Sequence, residues 1–105
     1  MSDIDPIINV PARLRIMAAL VALNPSSQLD FRTLGKSLGL TDGNLGAHLQ
    51  TLEAAGYIKV EKTFQGRRPH TSMQLTSKGR KAFQRYLEML RQIVAAAGKA
   101  ADDSS

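Results

Sequence analysis

Two adjacent arginines, Arg67 and Arg68, stand between Gly66 and Pro69 in the segment FQGRRPH. A guanidinium group stays charged, is planar, and offers paired N–H donors that match phosphate oxygens. Gly66 permits a positive φ and Pro69 stiffens the exit, so the pair is expected at an exposed loop tip. Arginines placed there are costly to pack against protein and easy to set against phosphates or a narrow minor groove. A solvated turn is the competing reading. Lys62 and Lys36 are secondary candidates for the same kind of anion.

The surrounding charge has the same sign. Residues 57–85 hold eight basic side chains against one acid, Glu61, whereas residues 1–56 and 86–105 each carry a net charge of −1. The overall +5 of the 105-residue chain therefore comes from one block. A concentrated positive field suits a polyanion, of which nucleic acid is the usual one. A solvated surface without a ligand is the alternative.

Other chemistries lack their parts. Zero cysteines excludes disulfides, thiolate zinc sites and cysteine nucleophiles. His48 and His70 are isolated, with no second ligand at metal-binding spacing. Asp42 and Glu53 stand too far apart on one helix to work as a pair, and no nucleophile–base pair or phosphate-binding glycine loop is present. No catalysis, cofactor or metal is expected. No apolar run approaches the ~20 residues of a membrane span, and the start MSDIDPIINV carries acids where an export signal carries bases. The expectation is a cytoplasmic protein with one domain over residues 1–97 and a disordered tail over 98–105.

These side chains need elements to position them. In residues 41–58, TDGNLGAHLQTLEAAGYI, Leu45, Leu49 and Leu52 recur on one helix face. Thr41 suits the N-cap and Gly56 the residue past the C-cap. Before it, Asp30 caps a helix over Phe31–Leu38 that Gly39 ends, and Leu40 alone spans the turn between the two helices. A first helix over Pro11–Leu23 carries Leu14, Met17, Leu20 and Val21; Asn24–Ser27 breaks the chain, and Gln28–Leu29 form a brief strand. After Gly56, Tyr57–Phe64 alternate partially, with Ile58, Val60 and Phe64 on one side. FQGRRPH turns the chain, His70–Leu75 return, and Thr76 caps a last helix over Ser77–Ala97.

In this order, RLRIMAAL, DFRTLGKSLGLTDGNLGAHLQTLEAAGYI, FQGRRPH and LTSKGRKAF resemble the winged helix-turn-helix transcription regulators of the broad MarR and ArsR type. The match covers about residues 5–95. It implies a fold that is mainly α with a two-stranded β wing (α+β): a three-helix core, the wing and a long C-terminal helix. It further implies a homodimer on a pseudo-palindromic site in double-stranded DNA, with the third helix in the major groove and the wing on the backbone or adjacent minor groove.

On that helix the leucines define the buried side. Gly43, Ala47, Gln50, Thr51 and Ala54 form the outward, small and almost uncharged one, with Asn44 on one flank and Gly46 on the other, and the capping Thr41 joins the DNA-binding candidates. Related regulators place serine and arginine where Gly46 and Ala47 sit, so this chain lacks the paired arginine–guanine contact, worth about 1–3 kcal/mol of discrimination. Gln50 or Asn44 could pair with adenine, and the methyls of Ala47 and Thr51 could meet thymine methyls, giving modest specificity with an A·T lean. His48, at the edge of the apolar face, either hydrogen-bonds a phosphate or is half-buried without a role. Part of this face packing against protein remains the other reading. A protein-interaction module without selective DNA binding is the alternative function.

The last helix carries Phe83, Leu87, Leu90, Val94 and Ala97 at alternating four- and three-residue steps, widened by Tyr86, Met89 and Ile93. Such a stripe exceeds what one side of a small domain needs. Half could cover the core while Tyr86, Leu87, Met89, Leu90, Ile93, Val94 and Ala97, joined by Ile7 and Ile8, meet a second copy; the alternative is that all of it is intramolecular. Lys78, Arg80 and Lys81 oppose the dipole at the start of this helix. No residue constellation argues for a small-molecule effector.

Overall fold

Two side-chain oxygens fix where the central helices begin. Asp30 Oδ1 accepts from the Thr33 amide at 2.6 Å, and Thr41 Oγ1 accepts from the Asn44 amide at 3.2 Å. Each satisfies a donor that the first helical turn leaves without a partner. The computed structural model describes residues 4–24 and 27–103. Its helices are α1 (Pro11–Val21), α2 (Phe31–Leu38), α3 (Asp42–Ala54) and α4 (Ser77–Asp103), and its strands β1 (Leu29–Asp30), β2 (Ile58–Gln65) and β3 (Arg68–Leu75).

α1 starts with proline at its first position and ends at Val21, short of Leu23, where the chain bends toward the break at residues 24–27. Pro25 and Ser26 of that break lie outside the described residues. α2 ends on Gly39 in the left-handed region, and the Leu40 amide returns to the Gly35 carbonyl at 3.0 Å. This turn delivers Leu45, Leu49 and Leu52 of α3 into a core shared with Ile16, Met17 and Leu20 of α1 and Leu34 of α2. Burying such side chains supplies about 1.5–3 kcal/mol each.

The two-stranded wing belongs to a sheet of three antiparallel strands in the order β1-β3-β2, the brief strand pairing with β3. β1 sits one residue later than expected, pairing Leu29 with Met73 and Asp30 with Ser72. Asp30 thus ends a strand and caps α2, which ties the hairpin root to the helix-turn-helix. In the hairpin, register runs from Ile58↔Leu75 to Gln65↔Arg68, leaving Gly66 and Arg67 as the turn. Gly66 has φ 66° and supplies the positive φ that such a tight connection needs. Arg68, Pro69 and His70 are therefore strand residues, and Arg67 alone of the arginine pair occupies the turn. Phe64 does not point into the core; it is 71% exposed, because the hairpin has left the body after Val60.

α4 is joined to the wing root by close contacts. Thr76 Oγ1 donates to the Gly56 carbonyl at 2.6 Å and accepts from the Gly79 amide at 2.9 Å, while the Thr76 amide donates to the Tyr57 carbonyl at 3.0 Å. A β-carbon on Gly79 would stand 2.1 Å from the Tyr57 carbonyl oxygen. Ala82, Phe83, Tyr86 and Met89 then enter the core. The helix continues to Asp103 instead of fraying from Gly98. Alanine-rich sequence extending an existing helix needs no new nucleus and outweighs one glycine. Residues 91–102 are all exposed, so this half of α4 projects from the body and the molecule measures 64 × 26 × 22 Å.

The Gly79 contact is testable. Gly79→Ala should lower the unfolding free energy by about 3 kcal/mol in urea denaturation, since backbone must move to admit the methyl. Gly98→Ala, which meets nothing within 4 Å, should be neutral or stabilising by up to about 1 kcal/mol.

Candidate nucleic-acid interface

The leucine face of α3 is sealed in the core, and the opposite face is open. Thr41, Gly43, Asn44, Ala47 and Gln50 are exposed, and His48 and Thr51 are half-buried at its edges. Lys36, Lys62, Arg67 and Arg68 are exposed as well. The Thr51 hydroxyl donates back to the Ala47 carbonyl at 3.2 Å, so this residue presents its methyl group outward more than its oxygen.

α3 and the wing share a contact that the sequence did not announce. Glu53 Oε2 accepts from the Val60 amide at 3.1 Å, bracing the last turn of α3 against β2. Between the two elements lies a cleft of about 280 Å³, with Gly46 and Gln50 on one wall, Val60 and Lys62 on the other, and Phe31 reaching into it. A second, wider depression of about 640 Å³ lies between the start of α2 and the outer hairpin, where Arg32, Arg68 and His70 meet Asp30 and Asp42. The Asp30 carboxyl is held below the usual carboxylate range by its bonds to Thr33.

Arg13 of α1 reaches three groups: the Ile7 carbonyl at 2.5 Å, the Pro6 carbonyl at 3.4 Å, and Nδ1 of His48 at 3.3 Å. A guanidinium only donates, so Nδ1 accepts and the ring proton sits on Nε2. His48 is thus half-buried, as one reading had it, yet keeps an N–H suited to an anion. In the sequence Arg13 is only a basic residue beside an apolar stripe, and its partner lies 35 residues away.

The residues expected at a second copy divide. Ile8, Tyr86 and Met89 are corrected to core residues, at 0%, 5% and 7% exposure. Tyr86 also donates to Asn9 Oδ1 at 2.7 Å, which fastens the N-terminal segment to α4. That segment has no helix of its own to pack, so it uses the inner side of α4 that the stripe left ambiguous. Ile7 and Leu90 are half-buried, whereas Leu87, Ile93, Val94 and Ala97 face outward. In the basic opening of α4, Lys78 and Lys81 are both exposed, and the Lys78 ammonium lies 6.0 Å from the Tyr57 ring centre with its chain beside Gly56.

With this geometry the comparisons with known proteins agree. A family model described as a winged helix DNA-binding domain matches residues 12–94. This chain belongs to the winged-helix DNA-binding domain family. A relative in Methanocaldococcus jannaschii, an uncharacterised protein, is 37% identical over 87 residues, which cover 83% of this chain and 91% of that one. The structure of a transcriptional regulator homologue from Pyrococcus horikoshii OT3 is 33% identical with a TM-score of 0.77, covering 87% of each chain. A MarR-family regulator from Enterococcus faecalis V583, 22% identical, shares the winged-helix fold at a TM-score of 0.72 over 91% of this chain and 84% of its own. Among the described residues of this winged-helix chain, no helix is long and apolar enough to cross a membrane, and no group of three or more His, Cys, Asp or Glu could hold a metal ion.

The brace under the wing gives a pH dependence. Tyr57 Oη donates to Asp5 Oδ2 at 2.5 Å, and Asp5 Oδ1 accepts from the amides of Ile7 and Ile8. Burial, with the Asp5 bond and charge, pushes the phenol up to about 12. An unfolded tyrosine ionises near 10, so this contribution is full below about pH 10 and is lost as pH rises toward about 12. Tyr57→Phe should be less stable than wild type by about 1 kcal/mol at neutral pH. Urea titrations at increasing pH should show that gap closing across this window; a gap that stays constant would remove the Asp5 bond as its source.

Proposed function

We propose that the protein is a cytoplasmic transcriptional regulator that binds duplex DNA as a homodimer and performs no chemistry on it. α3 enters the major groove, and the wing lies on the backbone or the adjacent minor groove. The single observation that carries this reading is that the leucine-backed helix turns a small, uncharged face to solvent beside a projecting hairpin rich in basic side chains. Eight-residue strands span about 26 Å, enough to reach from a helix in one groove to the neighbouring one.

Each candidate has a distinct part. Arg67, Arg68, Lys62, Lys36 and the Nε2–H of His48 neutralise or donate to phosphates, and the capped start of α3, at Thr41 and Gly43, brings backbone close to the strand. Gln50 and Asn44 read adenine edges, and the methyls of Ala47 and Thr51 meet thymine. The outer stripe of α4 supports the second copy. A lone helix projecting from its body is marginal in water, and pairing through Leu87, Ile93, Val94 and Ala97 would bury its apolar side. A two-fold pair would present two α3 helices to half-sites about one helical turn apart.

If the dimer makes about eight phosphate contacts, the logarithm of the binding constant should fall with log salt at a slope near −7. Replacing Arg67 and Arg68 with alanine should weaken binding to every sequence and flatten that slope. Gln50→Ala should instead change which sequence is preferred, at about 1–3 kcal/mol. A wild-type slope near zero in fluorescence anisotropy, or no retention of genomic fragments, would favour a protein-docking module. Separately, placing glutamate at Leu87 and Val94 should reduce the light-scattering mass from two chains to one without unfolding the domain, since both side chains are exposed.

A further inference from the structure

On the wing, the aromatic side chain of Phe64 is 71% open to solvent. Its position is specific. Side chains on a strand alternate between faces, so Ile58, Val60, Lys62 and Phe64 share one face of β2. Ile58 is in the core, and Val60 and Lys62 line the cleft against α3. Phe64 therefore continues the side of the hairpin that looks along the open face of the recognition helix. Directly across the ladder stands Pro69, also exposed, and Lys62 faces Thr71 two pairs nearer the body. The outer wing thus carries an apolar pair, Phe64 and Pro69, with Lys62 on the same face and Arg67 in the turn beyond, while Arg68, paired with Gln65, lies on the other face.

A strand aromatic held out in water has no folding reason to be there; polar residues occupy the neighbouring outer positions Thr63 and Gln65. The cations of the outer wing select the occupant. Exposed cations on the ring's own face, at the turn and on the reverse face would repel a basic protein surface and desolvate poorly against an apolar one, whereas a nucleic-acid groove offers phosphates on its rims and flat, apolar base and sugar surfaces within. We infer that Phe64, backed by Pro69, is an apolar wedge that the wing presses into the minor groove of duplex DNA, partly unstacking a base step while the flanking cations hold the two phosphate rims. This rests on the proposed DNA binding and adds a second source of selectivity to it. α3 has a bland face, but a wedge prefers flexible pyrimidine–purine steps, which unstack and bend at least cost. Sequence preference would then arise where the wing lands, at positions that no hydrogen bond reads.

The full chain, its Phe64→Ala and Phe64→Leu variants, and duplexes bearing 2-aminopurine beside a TA or an AA step test this. Wild type should raise 2-aminopurine emission at the TA step and bend permuted fragments in gels. Phe64→Ala should abolish both and weaken binding about tenfold, as loss of one aromatic–base contact does. The salt slope should stay unchanged, because no phosphate contact is removed. Phe64→Leu should retain part of the bend. Circular dichroism melting of all three should coincide, since the side chain touches no core. If Phe64→Ala binds, bends and raises emission as wild type does, the wedge is overturned while DNA binding stands. If Phe64→Ala lowers the light-scattering mass, the ring belongs to a contact between copies and the inference is overturned. If wild type binds no duplex, the functional reading falls, and the wedge with it.

Discussion

The fold depends on how closely α4 approaches the backbone at the foot of the wing. Where α3 ends, the carbonyls of Gly56 and Tyr57 accept from Thr76, and Gly79 leaves room for the Tyr57 carbonyl against the first turn of α4. Three elements converge there: the end of the recognition helix, the root of the hairpin and the start of the long helix. Because the approach is backbone against backbone, it tolerates little adjustment. It fixes the direction in which α4 leaves the body and the direction in which the wing leaves α3. Tyr57 extends the junction, gripping Asp5 with its hydroxyl and carrying Lys78 over its ring.

From that junction the charge acquires its geometry. A basic block in sequence is only a composition until a hairpin separates its members from the acids. Here the outer hairpin holds Lys62, Arg67 and Arg68 clear of the body, while Lys78 stands beside Tyr57 at the wing root. Glu53, the acid nearest the wing root on α3, has its carboxylate engaged by the Val60 amide. Where the charges stand shapes the field more than their sum does. The same economy appears at His48, where a donor-only arginine fixes which ring nitrogen keeps its proton.

Much of the local structure was legible because local rules govern it. The bounds of α2, its Asp30 cap, the Gly39 stop, the Thr41 cap and the three inward leucines of α3 all follow from residues within a few positions of one another. What misled was pattern continued past its cause. Alternation along β2 put Phe64 on the side of Ile58 and Val60, but alternation decides only which side of a strand a residue lies on, not whether protein covers that side. Helix length was misjudged for a related reason: glycine at position 98 weakens a helix without ending one that already has turns beneath it. The stripe of α4 was wide for a physical reason the periodicity could not divide, since its inner part packs the core and the N-terminal segment while its outer part does not.

By itself the sequence determined the order of helices and strands, their capping, the location of the basic block, and the family to which the chain belongs. These depend on neighbours along the chain, whose spacing is fixed by covalent geometry. Only tertiary structure decided that Arg13 holds His48, that Glu53 braces Val60, that Tyr57 grips Asp5, and that Phe64 stands in the open. Those outcomes depend on distances between residues far apart in sequence, set by core packing and by the close approach at Gly79, which nothing in the order of the letters specifies one residue at a time.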